Sequence, residues 1–392
     1  MSTIDQIGAF ADDLVAWRRD LHAHPELGFE EHRTSDFVAQ KLAAFGIEVH
    51  RGIAGTGIVG TLRAGTGPRA IAFRADMDAL PIEEQNSFGH ASKHAGVMHA
   101  CGHDGHTTML LGAARHLAQT RDFDGTVHFI FQPAEENGGG GKRMVEEGLL
   151  DRFPVENVFA LHNWPGLAEG QLAVRVGPQM AAMDNFAIEV KGSGSHAAMP
   201  HLGDDPIVAA VRIVEAAQTI VSRTIDPLDA AVLSFTQIHG GNTMNVVPGE
   251  VSLRGTCRFL KAAVGATVET RLARLCESIA QDTGLAISLA YEKMYPPVVN
   301  TAAAVATAAD AARNVFGLDN VSTEFSPSMG SEDFAYMLEA QSGCYAWIGA
   351  GPAERGRMLH QPRYDFNDAL LPLGASYFVS IVEAILGKPS NR

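Results

Sequence analysis

Side chains able to hold a cation crowd into a few short stretches of this chain. Met98-His99-Ala100-Cys101-Gly102-His103-Asp104-Gly105-His106 brings a thiol and imidazoles into one loop. Gln132-Pro133-Ala134-Glu135-Glu136 and Leu161-His162-Asn163 each follow or end an apolar run, and Leu359-His360-Gln361-Pro362 lies near the C-terminus. Cys101 and His103, two residues apart, can face one ion; thiolate plus imidazole suits zinc, cobalt or nickel, whereas carboxylates admit manganese. Glu135 and Glu136 follow Phe129-Ile130-Phe131 after Gln132-Pro133-Ala134, and two adjacent acids at the end of a buried strand cannot both lie in the core unpaired. One can ligate a cation while its neighbour, turned elsewhere, serves as a base. A solvated turn is the alternative reading, since glycines follow. His162 or His360 taken alone would be read as a satisfied polar residue. Asp76 and Asp78 end the run Ala70–Phe73 and could orient a ligand or form a turn. His99 and His106 stay open because they are so close to Cys101, and the other histidines of the first domain, such as His22 and His116, read as surface or structural. Gly192-Ser193-Gly194-Ser195-His196 is a further candidate with a different role.

The elements that must position these residues alternate. Short strands are predicted over Ile58–Leu62, Ala70–Phe73, Val127–Phe131 and Val158–Leu161, with a helix over Thr107–Leu117 between two of them. One helix is predicted through Ile7, Phe10, Leu14, Trp17 and Leu21, and another over Thr34–Phe45. From Asp184 to Lys293 the order is strand, helix, strand, strand, helix, strand, the split arrangement of a ferredoxin-like domain. After Pro296-Pro297 come a helix to Phe316, a helix over Ser331–Leu338, a strand over Cys344–Ile348 and a closing helix from Leu370. The pattern is an α/β domain interrupted by an inserted α+β domain. Gly55-Thr56-Gly57-Ile58-Val59-Gly60 matches a dinucleotide fingerprint in letters. The glycines precede a strand rather than open a helix, so a glycine-rich hairpin is expected and a nucleotide-dependent oxidoreductase is not.

A chain of 392 residues is long for a single core. Its 46% hydrophobic and 19% charged content fits a folded globular protein. With 45 acidic against 30 basic residues and a net charge of −15, nucleic acid is not an expected partner. No stretch has the uncharged length of a membrane helix, and the N-terminal acids argue against a secretory signal. The four cysteines are too few and too scattered for a disulfide framework, so a reducing, cytoplasmic setting is expected.

Arg18-Arg19-Asp20-Leu21-His22, His24-Pro25-Glu26-Leu27-Gly28-Phe29-Glu30-Glu31, Arg74-Ala75-Asp76-Met77-Asp78-Ala79-Leu80-Pro81, Met98–Asp104, Gln132–Glu136, His162-Asn163 and His360-Gln361-Pro362 occur in this order. Together they resemble the hippurate hydrolases, bacterial aminoacylases and plant auxin-conjugate amidohydrolases, a branch of the dinuclear-metal carboxypeptidases and aminoacylases. The resemblance implies a metallopeptidase-like mixed-sheet catalytic domain over residues 1–183 and 295–392. It makes the insert, residues 184–294, a dimerisation or lid domain in a homodimer, with a tetramer as the larger alternative. It implies two divalent ions per subunit, manganese or zinc with cobalt or nickel as alternatives, held by Cys101, His103, Glu136, His162 and His360. Glu135 would be the general base toward a metal-bridging water, and His196 would reach the partner's site to steady the carbonyl oxygen. Asn245 and Arg258 would bind substrate carbonyl and carboxylate groups, although Arg258 also reads as an ordinary strand arginine. Gly330 would line the pocket.

The implied reaction is hydrolysis of N-acyl amino acids of the hippurate, N-acetyl or indoleacetyl type to a carboxylic acid and a free amino acid. A metallo-dipeptidase or carboxypeptidase would use the same residues, and a non-enzymatic binding protein that kept the fold is the remaining alternative. Two departures from the wider family stand out: Asp76-x-Asp78 where it has a histidine ligand and then an acid, and Cys101 where it has an aspartate. Both favour the amidohydrolase branch.

Overall fold

The structure, a computed structural model, describes residues 2–354 and 357–388. The chain divides into two compact units, Met1–Gln179 with Val298–Ser326 and Asp333–Arg392, and Met180–Pro297 with Pro327–Glu332. The expected insert, 184–294, lies inside the second unit.

The first unit is built on an eight-stranded mixed sheet in the order Glu48–Ile53, Gly57–Ala64, Gly125–Gln132, Ala70–Asp76, Asn157–Trp164, Gly343–Gly349, Leu172–Ala173, Val321–Ser322. Gly125–Gln132, Ala70–Asp76, Asn157–Trp164 and Gly343–Gly349 are mutually parallel neighbours. Every residue of Gly125–Gln132 is buried, as expected of a central strand covered on both faces. Phe73 packs its ring 5.0 Å from Phe378 and 6.0 Å from Phe159, locking the sheet to the Leu370–Leu386 helix. Glu48–Ile53 lacks apolar alternation because of Glu48, His50 and Arg51, so no strand is predicted there; it is an edge strand whose hairpin with Gly57–Ala64 uses the Ala54-Gly55-Thr56 turn.

Two expectations differ. The first helix is two, Thr3–Gly8 and Ala11–Ala23, parted at Ala9 and Phe10. The helix expected over Ser331–Leu338 runs instead over Ala335–Ala340. The Asp333 carboxylate accepts from Gly141 N at 2.7 Å, Gln132 Nε2 at 2.7 Å and Arg74 Nη2 at 3.0 Å, which pins the chain in a turn before Phe334.

The second unit has an antiparallel sheet in the order Ala231–His239, Glu250–Phe259, Ala182–Lys191, Ala286–Tyr295. Ala182–Lys191 alternates buried and half-buried residues, so one face is apolar. Phe186, Ile188 and Val190 there share a core with Ala209, Ile213 and Ala217 of the Pro206–Thr224 helix and Val268 and Leu272 of the Ala262–Thr283 helix. No helix among the described residues is long and apolar enough to cross a membrane.

The start of the His103–Thr120 helix is held by a buried polar cluster. Arg18, 1% exposed, donates from Nε to Asp368 at 2.6 Å, from Nη1 to Asp365 at 2.8 Å and from Nη2 to the Phe366 carbonyl at 3.2 Å. His22 Nδ1 lies 2.8 Å from Asp104 Oδ2, and its Nε2 3.3 Å from Glu84 Oε1. Burial pushes the imidazole down, but the Asp104 and Glu84 carboxylates outweigh it and raise its pKa to about 9. The folded value lies above the unfolded value of about 6.5. Charged His22 therefore stabilises the fold fully below that pH, and its contribution is lost as pH rises through about 9. Urea unfolding should show stability declining across that window by an amount on the order of 3 kcal/mol, with a shallower decline in His22→Gln. Superimposable pH profiles for the two proteins would refute the pairing.

Candidate metal centre

Because the central strands are parallel, their C-terminal ends bring chemistry to one edge of the sheet, where clefts form in such folds. Asp76 ends its strand, Glu135 and Glu136 follow Gln132, and His162 lies near the end of Asn157–Trp164. Cys101 and His103 enter from the loop and first turn of the His103–Thr120 helix. Gly102 between them has φ +100° and a Cβ there would stand 2.3 Å from Asn163 Oδ1, so only glycine fits.

Ligand atoms of Cys101, His103 and His162 lie within 4.8 Å of one another, as do those of Cys101, Glu136 and His360 and those of His103, Glu135 and Glu136. The shared members join these groups into one cluster with donors for two divalent ions. Cys101 Sγ is 3.4 Å from His162 Nε2, and His360 Nε2 is 3.3 Å from Glu136 Oε1. His360 is the exposed member of the set.

The residues fit such ions on three counts. His103 Nε2 and Glu136 Oε1 are buried without a hydrogen bond, an arrangement that costs free energy unless a cation takes their lone pairs. The opposite ring nitrogens are occupied: His103 Nδ1 donates to the Asp78 carbonyl at 2.9 Å and its carboxylate at 3.2 Å, and His162 Nδ1 donates to the Asn163 carbonyl at 2.7 Å. Each ring thus presents Nε2 as the donor, the usual orientation of ligating histidines. Finally, burial pushes the Cys101 thiol well up, and the Glu136, Glu135 and Asp76 carboxylates push the same way. Burial also holds His162 well below its ordinary range. At Cys101 and His162 a nucleophilic thiolate–imidazolium pair needs the reverse of both shifts. A buried thiol among acids is instead the electrostatics that a cation compensates. At His103 burial lowers the imidazole, but the Asp76, Asp78 and Glu136 carboxylates outweigh it and raise the pKa to about 10; that proton is one a bound cation displaces.

Backbone strain concentrates here. Ala134 has φ +51° and His360 φ +62°, conformations that cost L-residues roughly 1–2 kcal/mol. Ala134 N donates to buried Glu31 at 2.8 Å, whose other oxygen accepts from Thr56 Oγ1 at 2.6 Å, and His360 N donates to the Ala100 carbonyl at 2.7 Å. These bonds hold Glu135 and His360 where the sequence alone would not put them.

The five expected metal ligands and Glu135 are brought together. Asp78, left open by sequence, proves a tether: it accepts from Glu136 N at 3.0 Å as well as from His103. Asp76 and His106, also left open, bond to each other at 2.6 Å. Glu31, Arg74, Asn163 and Tyr364 were missed as site residues; the first three lie inside recognised motifs, and their partners are too distant in sequence to infer.

His196, Asn245, Arg258 and Gly330 belong to the second unit. Ser195–His196 pairs with Val246–Val247, and Ala197 N donates to the Asn245 carbonyl at 3.0 Å, so His196 and Asn245 share one exposed ribbon. Arg258 donates from Nη1 to the Met329 carbonyl at 3.0 Å, and Gly330 N donates to Ser328 Oγ at 3.0 Å.

The profile of Peptidase family M20/M25/M40 matches residues 72–384. Hippurate hydrolase of Campylobacter jejuni is 39% identical over 381 residues, 97% of this chain and 98% of that protein. N-acetyl-L-cysteine deacetylase of Bacillus subtilis is 40% identical over 367 residues, 93% and 86% of the two chains. Among solved structures, the Bacillus subtilis YXEP protein, described as a dinuclear metal binding peptidase from the M20 family, matches with a TM-score of 0.85 at 34% identity, covering 97% of this chain and 99% of that one. With the family profile across most of its length and relatives of this similarity, the chain belongs to peptidase family M20/M25/M40 and is a hydrolase of amide bonds.

Proposed function

We propose that the protein hydrolyses N-acyl amino acids to a carboxylic acid and a free amino acid. The observation that carries this reading is the adjacent pair Glu135 and Glu136 set against the Cys101, His103, His162 and His360 donors. The hippurate hydrolase and deacetylase relatives, which match nearly the whole chain, support it.

Cys101, His103, Glu136, His162 and His360 would hold two divalent ions, manganese or zinc. Such ions, when bound, polarise a carbonyl and lower the pKa of a water at neutral pH. Glu135 takes the proton of the water that attacks the acyl carbon. It then returns that proton to the amide nitrogen, which leaves as the free amine. Arg258 pairs with the carboxylate of the amino-acid half, and Asn245 and Gly330 contribute to its pocket. His196 donates a hydrogen bond to the carbonyl oxygen as negative charge grows there, a kind of contact worth roughly 3–4 kcal/mol elsewhere.

His196 acts from the partner subunit of a homodimer. The second unit has surface suited to such a contact: Ala231–His239 is an edge strand with Val232 and Ile238 exposed, and Ile207, Val208 and Val211 are exposed on the Pro206–Thr224 helix. The four cysteines are all unpaired and buried, which fits a cytoplasmic setting.

Hydrolysis of hippurate and of N-acetylmethionine, measured as release of free amino acid, should vanish on chelation and return with manganese or zinc. Metal-dependent cleavage of dipeptides in place of both compounds would move the reading to a dipeptidase. Glu135→Gln should retain both ions by elemental analysis while kcat falls at least about a hundredfold; retained turnover removes Glu135 as the base. His196→Ala and Glu135→Gln proteins, each nearly inactive, should regain activity when their subunits are exchanged. No recovery in verified mixed dimers would place His196 outside the partner's site.

A further inference from the structure

His106 packs beside both imidazoles of the thiol-containing group, whose own centroids are 6.1 Å apart. Its ring centroid is 4.4 Å from that of His162 and 5.5 Å from that of His103. Both of its nitrogens are committed. Nδ1 donates to Asp76 Oδ1 at 2.6 Å, and Nε2 donates to Asn163 Oδ1 at 2.7 Å. The bonding continues at both ends. Arg74 Nη1 donates to Asp76 Oδ2 at 2.7 Å, and Asn163 Nδ2 donates to the Tyr364 hydroxyl at 2.7 Å. Asp76, His106 and Asn163 are all essentially excluded from solvent.

Asp76, His103 and His106 also lie close enough together to suggest an ion of their own. The bonding argues otherwise, because both oxygens of Asp76 and both nitrogens of His106 already have partners. The trio is therefore built to hold positions. Asp76 closes one central strand, Asn163 follows His162 on the next, and His106 sits one helical turn beyond His103. A buried, fully bonded imidazole at that junction fixes the distance between the His103 and His162 donors.

Building on the two-ion reading above, we infer that His106, clamped between Asp76 and Asn163, is a positioning residue that sets the spacing of the metal ligands without binding an ion itself. Chelated protein titrated with Co2+ tests this. The readouts are the number of ions bound, their affinity, and the absorption bands of thiolate-bound cobalt. The wild type should bind two ions. His106→Ala should stay folded, with its helix content kept and its melting temperature lowered in the ion-free protein, yet bind cobalt at least about tenfold more weakly with altered bands. His106→Gln, which can restore one of the two bonds, should recover part of the loss. Tyr364→Phe removes only the hydroxyl at the far end and should weaken binding in the same direction, which keeps the test open should His106→Ala fail to fold. Affinity and bands equal to wild type in the His106 variants, or in Tyr364→Phe when those do not fold, overturn the inference alone. A wild-type chain that takes up no ion overturns the metal centre along with it.

Discussion

Negative charge buried at one edge of a parallel sheet is the constraint on which the first unit depends. Asp76, Asp78, Glu135 and Asp333 are all nearly excluded from water, in a region where an uncompensated carboxylate would cost several kcal/mol or more. The chain answers part of this charge itself. Arg74 spans Gln132, Asp76 and Asp333, and Asp78 is tied to His103 and to the Glu136 main chain. What these bonds leave over, the His103 Nε2 and Glu136 Oε1 atoms that make no hydrogen bond beside a buried thiol, has the composition of a cation site.

Rigidity follows from that arrangement. Strand ends diverge and loops are soft, so donors from a helix start, a strand and two loops would not hold a common geometry unaided. Here the strained residues Ala134 and His360 are fixed by specific main-chain bonds, and Gly102 lets the thiol and imidazole stand on either side of a left-handed turn. The Arg18, His22 and Asp104 cluster serves the same end from behind, holding the first turn of the His103–Thr120 helix to the Asp365–Asp368 segment. The second unit has no such density of buried charge. Its stability comes from an amphipathic sheet and two helices, which suits a module whose polar residues work at the surface.

Residue types and their spacing were enough to read the composition of the site and most of the frame. Strand and helix periods located the parallel core strands and the strand–helix repeat of the second unit, because apolar alternation is a local property. The density of cysteine, histidine and paired glutamate at strand ends pointed to a cation centre, and the ordered motifs to a family. Asp76, Asp78 and His106 stayed undecided, since a polar residue near a ligand looks the same whether it turns the chain, binds an ion or braces another side chain. Folding gives each of them partners 25 to 58 residues away. The tertiary structure also revealed an edge strand with no apolar pattern, a helix displaced because Asp333 is bonded elsewhere, and the roles of Glu31 and Arg74. Those outcomes depend on which distant groups meet in the folded chain, and residue types and local spacing carry no information about that.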